Sequence, residues 1–218
     1  MKITCKNIWM TNCYLIEGEK GAVVIDPGYK REAILDFLKE NEDKERLIIL
    51  THGHFDHIGG AEYLRLETGV KIGLGALDEP ALSDNELNCA VSFKRTLPPF
   101  SADYLYNDGD KISVGDINFE VIACPGHTVG GISLLCDGNL FSGDTLFKDS
   151  VGRTDFGGGI FTKIKKGNLL YQSYFEFVVS AENQINSEFS DSLNQLRQNS
   201  IFTTFMKFLN TLLPAKRI

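Results

Sequence analysis

Histidine is scarce in this chain, with four among 218 residues beside one tryptophan, six prolines and five cysteines. The cysteines at 5, 13, 89, 124 and 136 are scattered, odd in number and free of any Cys-x-x-Cys pair. That pattern argues against a disulfide framework, and a reducing, cytoplasmic setting is the expectation. No apolar run approaches the roughly eighteen residues needed to span a bilayer, so no membrane is expected as a partner. The opening Met1-Lys2-Ile3-Thr4-Cys5-Lys6 lacks the apolar stretch of a secretory leader. Positive charge is in deficit: 22 Lys/Arg against 29 Asp/Glu leave −7, which disfavours non-specific binding of nucleic acid. Internal repeats and low-complexity arrays are absent too, and 43% hydrophobic with 23% charged residues is the composition of an ordinary globular protein. The oligomeric state stays open.

Against that scarcity, Thr51-His52-Gly53-His54-Phe55-Asp56-His57 gathers three of the four histidines and a carboxylate within six residues. Random clustering is a poor explanation. The fourth, His127, stands in Cys124-Pro125-Gly126-His127-Thr128. Imidazole with carboxylate suits zinc or iron rather than calcium or magnesium. His52 and His54, two residues apart in an extended stretch, point the same way and can share one metal, with His127 as a third nitrogen. Three protein ligands plus water is the usual form of a catalytic zinc site. Asp56 and His57 remain for a second ion, and Asp144 is a candidate bridging carboxylate. Two metals about 3.5–4 Å apart can share a hydroxide and polarise a carbonyl oxygen, without a serine or cysteine nucleophile.

Patterning places these residues at strand ends. Asn12–Glu17 and Ala22–Asp26 read as strands, the second followed by the turn Asp26-Pro27-Gly28. Arg31–Asn41 reads as a helix with Ile34, Leu35 and Leu38 on one face. The apolar run Leu47–Leu50 reads as a buried strand leading into the histidines, and Gly59-Gly60 opens a helix through Leu66. Ile117, Phe119 and Val121 form one face of a strand that ends at the His127 motif, while Asp137-Gly138 joins Ile132–Cys136 to Asn139–Ser142 in a hairpin ahead of Asp144.

The ordered set Thr51-His52-x-His54-x-Asp56-His57-Ile58-Gly59-Gly60, Pro125-Gly126-His127-Thr128 and Ser142-Gly143-Asp144-Thr145-Leu146-Phe147 resembles the metallo-β-lactamase superfamily. Val151-Gly152-Arg153-Thr154-Asp155-Phe156 narrows the resemblance to the short glyoxalase II-like hydrolases, and Asn12–Ile16 with Val24–Gly28 match that group's opening. It covers residues 1 to about 160 and implies an α/β fold, the αββα sandwich of two mixed β-sheets with outer helices. It further implies a metal-dependent hydrolase of small thioesters or esters, using a metal-bound hydroxide and one or two zinc ions, with iron the alternative. Carried over by position, His52, His54 and His127 would hold the first metal and Asp56 and His57 the second, with Asp144 bridging and Asp56 the candidate catalytic carboxylate. Asp26 reads equally as an orienter of a ligand imidazole or as a turn residue, and Arg153 with Asp155 as a structural ion pair.

The departures matter as much. The family's further second-site histidine, from a Gly-His-Gly-like segment, has no counterpart, because no histidine follows His127. From about residue 160 the composition shifts. Only Gly167 of the 21 glycines lies there, and residues 160–218 hold seven Lys/Arg against four Asp/Glu, leaving −10 of the total −7 to the residues before them. Residues 161–218 thus read as an atypical tail, partly helical, with Leu193, Leu196, Ile201, Phe205, Leu209 and Leu212 at near-helical spacing. A fused, replaced or frame-shifted segment would each give that shift, and Glu182 or Asp191 are candidate substitutes for the missing ligand. Competing readings are a mononuclear iron persulfide-dioxygenase-like enzyme using His52, His127 and Asp144 as a facial triad, a partly degenerate metal-binding relative, and lactam hydrolysis.

Overall fold

The computed structural model describes residues 1–8, 10–29, 32–147 and 150–154. Its first sheet has six strands in chain order: β1 (Lys2–Ile8), β2 (Thr11–Glu17), β3 (Gly21–Ile25), β4 (Glu45–Leu50), β5 (Lys71–Gly75) and β6 (Tyr104–Tyr106). The first three pair antiparallel, and β3 through β6 run parallel. Parallel neighbours need crossovers. Helix α1 (Glu32–Glu40) links β3 to β4; α2 (Phe55–Ile58) and α3 (Ala61–Thr68) link β4 to β5. Helix α3 stops at Gly69, whose left-handed φ of 71° lets its N–H reach the Arg65 carbonyl.

Strands β3 and β4 are apolar at nearly every position because both of their faces are covered. Alternate side chains go opposite ways. Val24, Ile48 and Leu50, with Ile72 and Leu74 of β5, pack under Ile34, Leu38 and Leu64 of the helices. Val23, Ile25, Leu47 and Ile49 meet a second sheet through Val114, Ile117, Phe119, Val121, Leu134 and Phe141.

That second sheet has order β10-β9-β8-β7, all antiparallel, from β7 (Lys111–Val114), β8 (Ile117–Ala123), β9 (Ile132–Cys136) and β10 (Asn139–Phe141). Asp137 and Gly138, at φ 47° and 75°, make the hairpin turn that their sequence signals. A two-stranded hairpin follows, β11 (Leu146–Phe147) with β12 (Ser150–Val151). The expected two-sheet sandwich is present with helices outside the first sheet; that sheet is mixed as expected, whereas the second is wholly antiparallel. Among the described residues no helix covers the second sheet's outer face, where Lys111, Ser113, Asn118 and Glu120 are exposed. The apolar stripe 193–212, Glu182 and Asp191 lie outside the described residues.

Candidate metal centre

The site forms where β3 and β4 end side by side. Asp26, the first residue past β3, takes a left-handed φ of 51° and donates its N–H to the Ile49 carbonyl at 3.1 Å. Its buried carboxylate accepts the Thr51 N–H at 2.8 Å and the Thr51 hydroxyl at 2.7 Å, and faces His57 Nδ1 at 2.9 Å. Position 26 is thus both a turn residue and the group that orients an imidazole. With its proton given to Asp26, the Thr51 oxygen, 3.1 Å from His52 Nδ1, is free to accept from that nitrogen. His127, in the loop after β8, points Nδ1 at the Arg153 carbonyl 2.6 Å away. In each ring one nitrogen is tied to an acceptor, which turns the other toward the centre.

What converges there is compact. Ligand atoms of His52, His54 and His127 lie within 4.8 Å of one another, as do those of His52, His57 and Asp144. His54 Nδ1 and His127 Nε2 are 2.8 Å apart. Asp144, in the loop after β10, sets Oδ1 3.3 Å from His57 Nε2 and Oδ2 3.6 Å from His127 Nε2. Asp56 stands beside the cluster and in neither triad, with Oδ2 3.8 Å from His57 Nε2. Thr11 of β2 holds it by donating its hydroxyl to the Asp56 carbonyl at 3.0 Å. All four imidazoles are buried, whereas the Asp144 side chain is 28% exposed, so the centre opens on the Asp144 side.

Burial sets the electrostatics, and neighbours modify it. His52 is held well below the usual histidine range, by burial first and then by the other three imidazoles. Burial opposes a charge on His57 as well, yet the Asp26 and Asp144 carboxylates outweigh it and hold that ring well above its ordinary value. For Asp144 burial is overcome by His57, with help from His127 and His54, and its carboxyl falls below the usual range. Burial raises Asp56, against His57 and with the repulsion of Asp144. The Cys124 thiol is pushed up to about 12 by burial, so the cysteine of the His127 motif is no ready nucleophile.

His52 Nε2 is buried without a hydrogen-bond partner, and His57 Nε2 has only the flanking Asp144 and Asp56 carboxylates, at 3.3 and 3.8 Å. An orphan such as His52 Nε2 is costly in a fold and calls for an occupant. Clustered imidazole nitrogens with a carboxylate form a donor set for zinc or iron, and these residues fit such an ion. Sequence reasoning passed over Thr51 and the Arg153 carbonyl. The Arg153 ion pair it proposed involves Asp155, which lies outside the described residues.

The model of the metallo-beta-lactamase superfamily matches residues 7–178. The chain belongs to that superfamily. It is 35% identical over 150 residues to the hydroxyacylglutathione hydrolase GloC of Haemophilus influenzae, covering 66% of this chain and 71% of the relative. Among solved structures it is similar to the B3 metallo-beta-lactamase BLEG-1, with TM-score 0.65, 35% identity and 72% and 78% of the two chains covered. A di-iron-bound form of TTHA1623 gives TM-score 0.62 at 29% identity, covering 76% of this chain and 85% of that one.

Proposed function

We propose that this chain is a metal-dependent hydrolase of small thioesters or esters, glyoxalase II-like in its reaction. In this reading His52, His54 and His127 hold one metal, while His57 and Asp56 serve a second with Asp144 between them. Zinc is the favoured ion and iron the alternative. The observation that carries the reading is the pair of donor triads meeting at His52, whose buried Nε2 has no hydrogen-bond partner. The hydroxyacylglutathione hydrolase activity in a relative's name supports the thioester class.

When bound, such ions act as Lewis acids toward a carbonyl oxygen and lower the pKa of coordinated water to about 7. This chain's residues supply the rest. Asp26, Thr51 and the Arg153 carbonyl fix the imidazoles in orientation. Asp144, on the open side, is kept ionised by His57 and meets the incoming substrate first. Asp56, 3.8 Å from His57 Nε2, is placed to serve the second position, where as a ligand it would be ionised.

The test is elemental analysis of the full chain purified without added metal or chelator, joined to hydrolysis of a hydroxyacyl thioester of glutathione. Close to two equivalents of zinc, with turnover abolished in His52→Ala and His127→Ala, is the expected result. Undiminished activity in either variant would end the hydrolytic reading.

A mononuclear iron oxygenase is the second reading. It is favoured by the 3.6 Å approach of His127 Nε2 to Asp144 Oδ2 and by the lack of any histidine after His127. One equivalent of iron and oxygen uptake with glutathione persulfide would select it.

A further inference from the structure

Asp78 lies outside the motifs, in the 3-10 helix Ala76–Leu82 that follows β5. Its side chain is buried, and its two oxygens go to two different loops. Oδ2 accepts the N–H of Gly53, the residue between His52 and His54, at 2.9 Å. Oδ1 accepts the N–H of Gly130, three residues after His127, at 2.6 Å. The three segments touch through their backbones. A Cβ on Gly75 would lie 2.0 Å from the Gly130 carbonyl oxygen, one on Gly130 2.2 Å from the Asp78 nitrogen, and one on Gly53 2.6 Å from Ala81 Cβ. The Ile132 N–H also donates to the Thr51 carbonyl at 2.8 Å, so the same two loops are tied a second time.

A carboxylate this deep is costly unless both oxygens are used. Here both are, one on the backbone of the His52/His54 loop and one on that of the His127 loop, which come from distant parts of the chain. We propose that Asp78 is a positioning residue: by clamping Gly53 and Gly130 it sets the distance between the His52/His54 loop and the His127 loop, and so the metal affinity of that triad. The proposal rests on the metal reading given above. Asparagine at 78 keeps the volume but offers one carbonyl oxygen in place of two acceptors, so one loop must let go.

The test is zinc titration of the metal-stripped full chain against a chromophoric chelator, with thermal melting of each stripped variant. Three substitutions are compared with wild type. His127→Ala should abolish tight binding; if it leaves affinity intact, the metal reading fails and this proposal with it. Asp78→Asn should weaken zinc by about 10- to 100-fold, the range for groups that hold metal ligands in place. Asn41→Ala is the stability control. Asn41 is buried at the far end of β4 and donates to the Phe37 carbonyl at 2.8 Å, so its loss should lower the melting temperature and leave zinc affinity unchanged. Wild-type affinity in Asp78→Asn, with His127→Ala impaired, would overturn the clamp. So would a loss no larger than that of Asn41→Ala at equal melting temperature. Should Asp78→Asn fail to fold, the wild-type amide spectrum decides. Slowly exchanging, downfield Gly53 and Gly130 protons support the clamp, and fast-exchanging ones overturn it.

Discussion

Asp26 holds three donors from two segments, and its carboxylate is the group that keeps His57 charged against the pull of burial. Asparagine tolerates the same left-handed backbone, but its single carbonyl oxygen cannot serve Thr51 twice and His57 as well. In the metal-free protein, proton NMR titration should find His57 well above the ordinary histidine value of about 6.5. In Asp26→Asn it should drop, since burial then acts with only Asp144 opposing it. The linkage follows in sign. His57's raised value stabilises the metal-free fold fully below the unfolded pKa, and that contribution is lost as pH rises through the folded one. Wild type should therefore lose stability relative to Asp26→Asn on alkalinisation, and an unmoved His57 would assign its charge to Asp144 alone. Legibility at this scale follows residue type. His52, His54, His57 and His127 stand out because histidine is rare and clustered. Thr51, Asp78 and the Arg153 carbonyl act through backbone groups or as ordinary polar residues, and such partners leave no mark in a sequence.

Elements were legible where burial is two-sided or alternating. Strands β3 and β4 announce themselves as apolar runs, β8 by its alternation, and the β9–β10 hairpin by Asp137-Gly138. Strand β5 is hidden because two of its five residues are glycine, required by crowding: a Cβ on Gly73 would lie 2.4 Å from the Tyr106 ring. Strand β1 alternates exposed and partly covered residues at a sheet edge, and α2, with four residues, is too short for a period to show. The β11–β12 hairpin is equally brief, yet it carries a consequence for the site. Its exit delivers the Arg153 carbonyl to His127, and a Cβ on Gly152 would fall 1.7 Å from the Asp144 carbonyl oxygen and 3.3 Å from His127 Nδ1. Gly152→Ala should push the hairpin away, release His127 Nδ1 and weaken metal binding by about 10-fold or more. Chelator competition measures it, and unchanged affinity would show that His127 needs no such anchor.

On the scale of the whole molecule, the two sheets meet face to face through apolar side chains, which fix no register of one sheet on the other. Asp116 supplies one. From the turn between β7 and β8 it reaches the turn between β2 and β3, where Oδ2 accepts the Glu19 N–H at 2.9 Å and Oδ1 those of Lys20 and Gly21 at 2.8 and 3.1 Å. Gly115, at φ 59°, and Gly21 permit this approach, since a Cβ on Gly21 would lie 1.9 Å from the Val114 carbonyl oxygen. These backbone hydrogen bonds depress the Asp116 carboxyl to about 2. A depressed carboxyl contributes stability above its unfolded value, and that contribution fades as pH falls toward the folded one. Asp116→Ala should accordingly unfold at lower urea than wild type at neutral pH. The gap should narrow between an ordinary carboxylate value of about 3.9 and about 2, because a protonated Asp116 is a weaker acceptor for the same three amides. The clasp is exposed and stands at the opposite end of β8 from the His127 loop, so zinc affinity in this variant should match wild type. Urea midpoints that stay parallel across that acid range would mean the carboxylate's charge contributes nothing to joining the sheets.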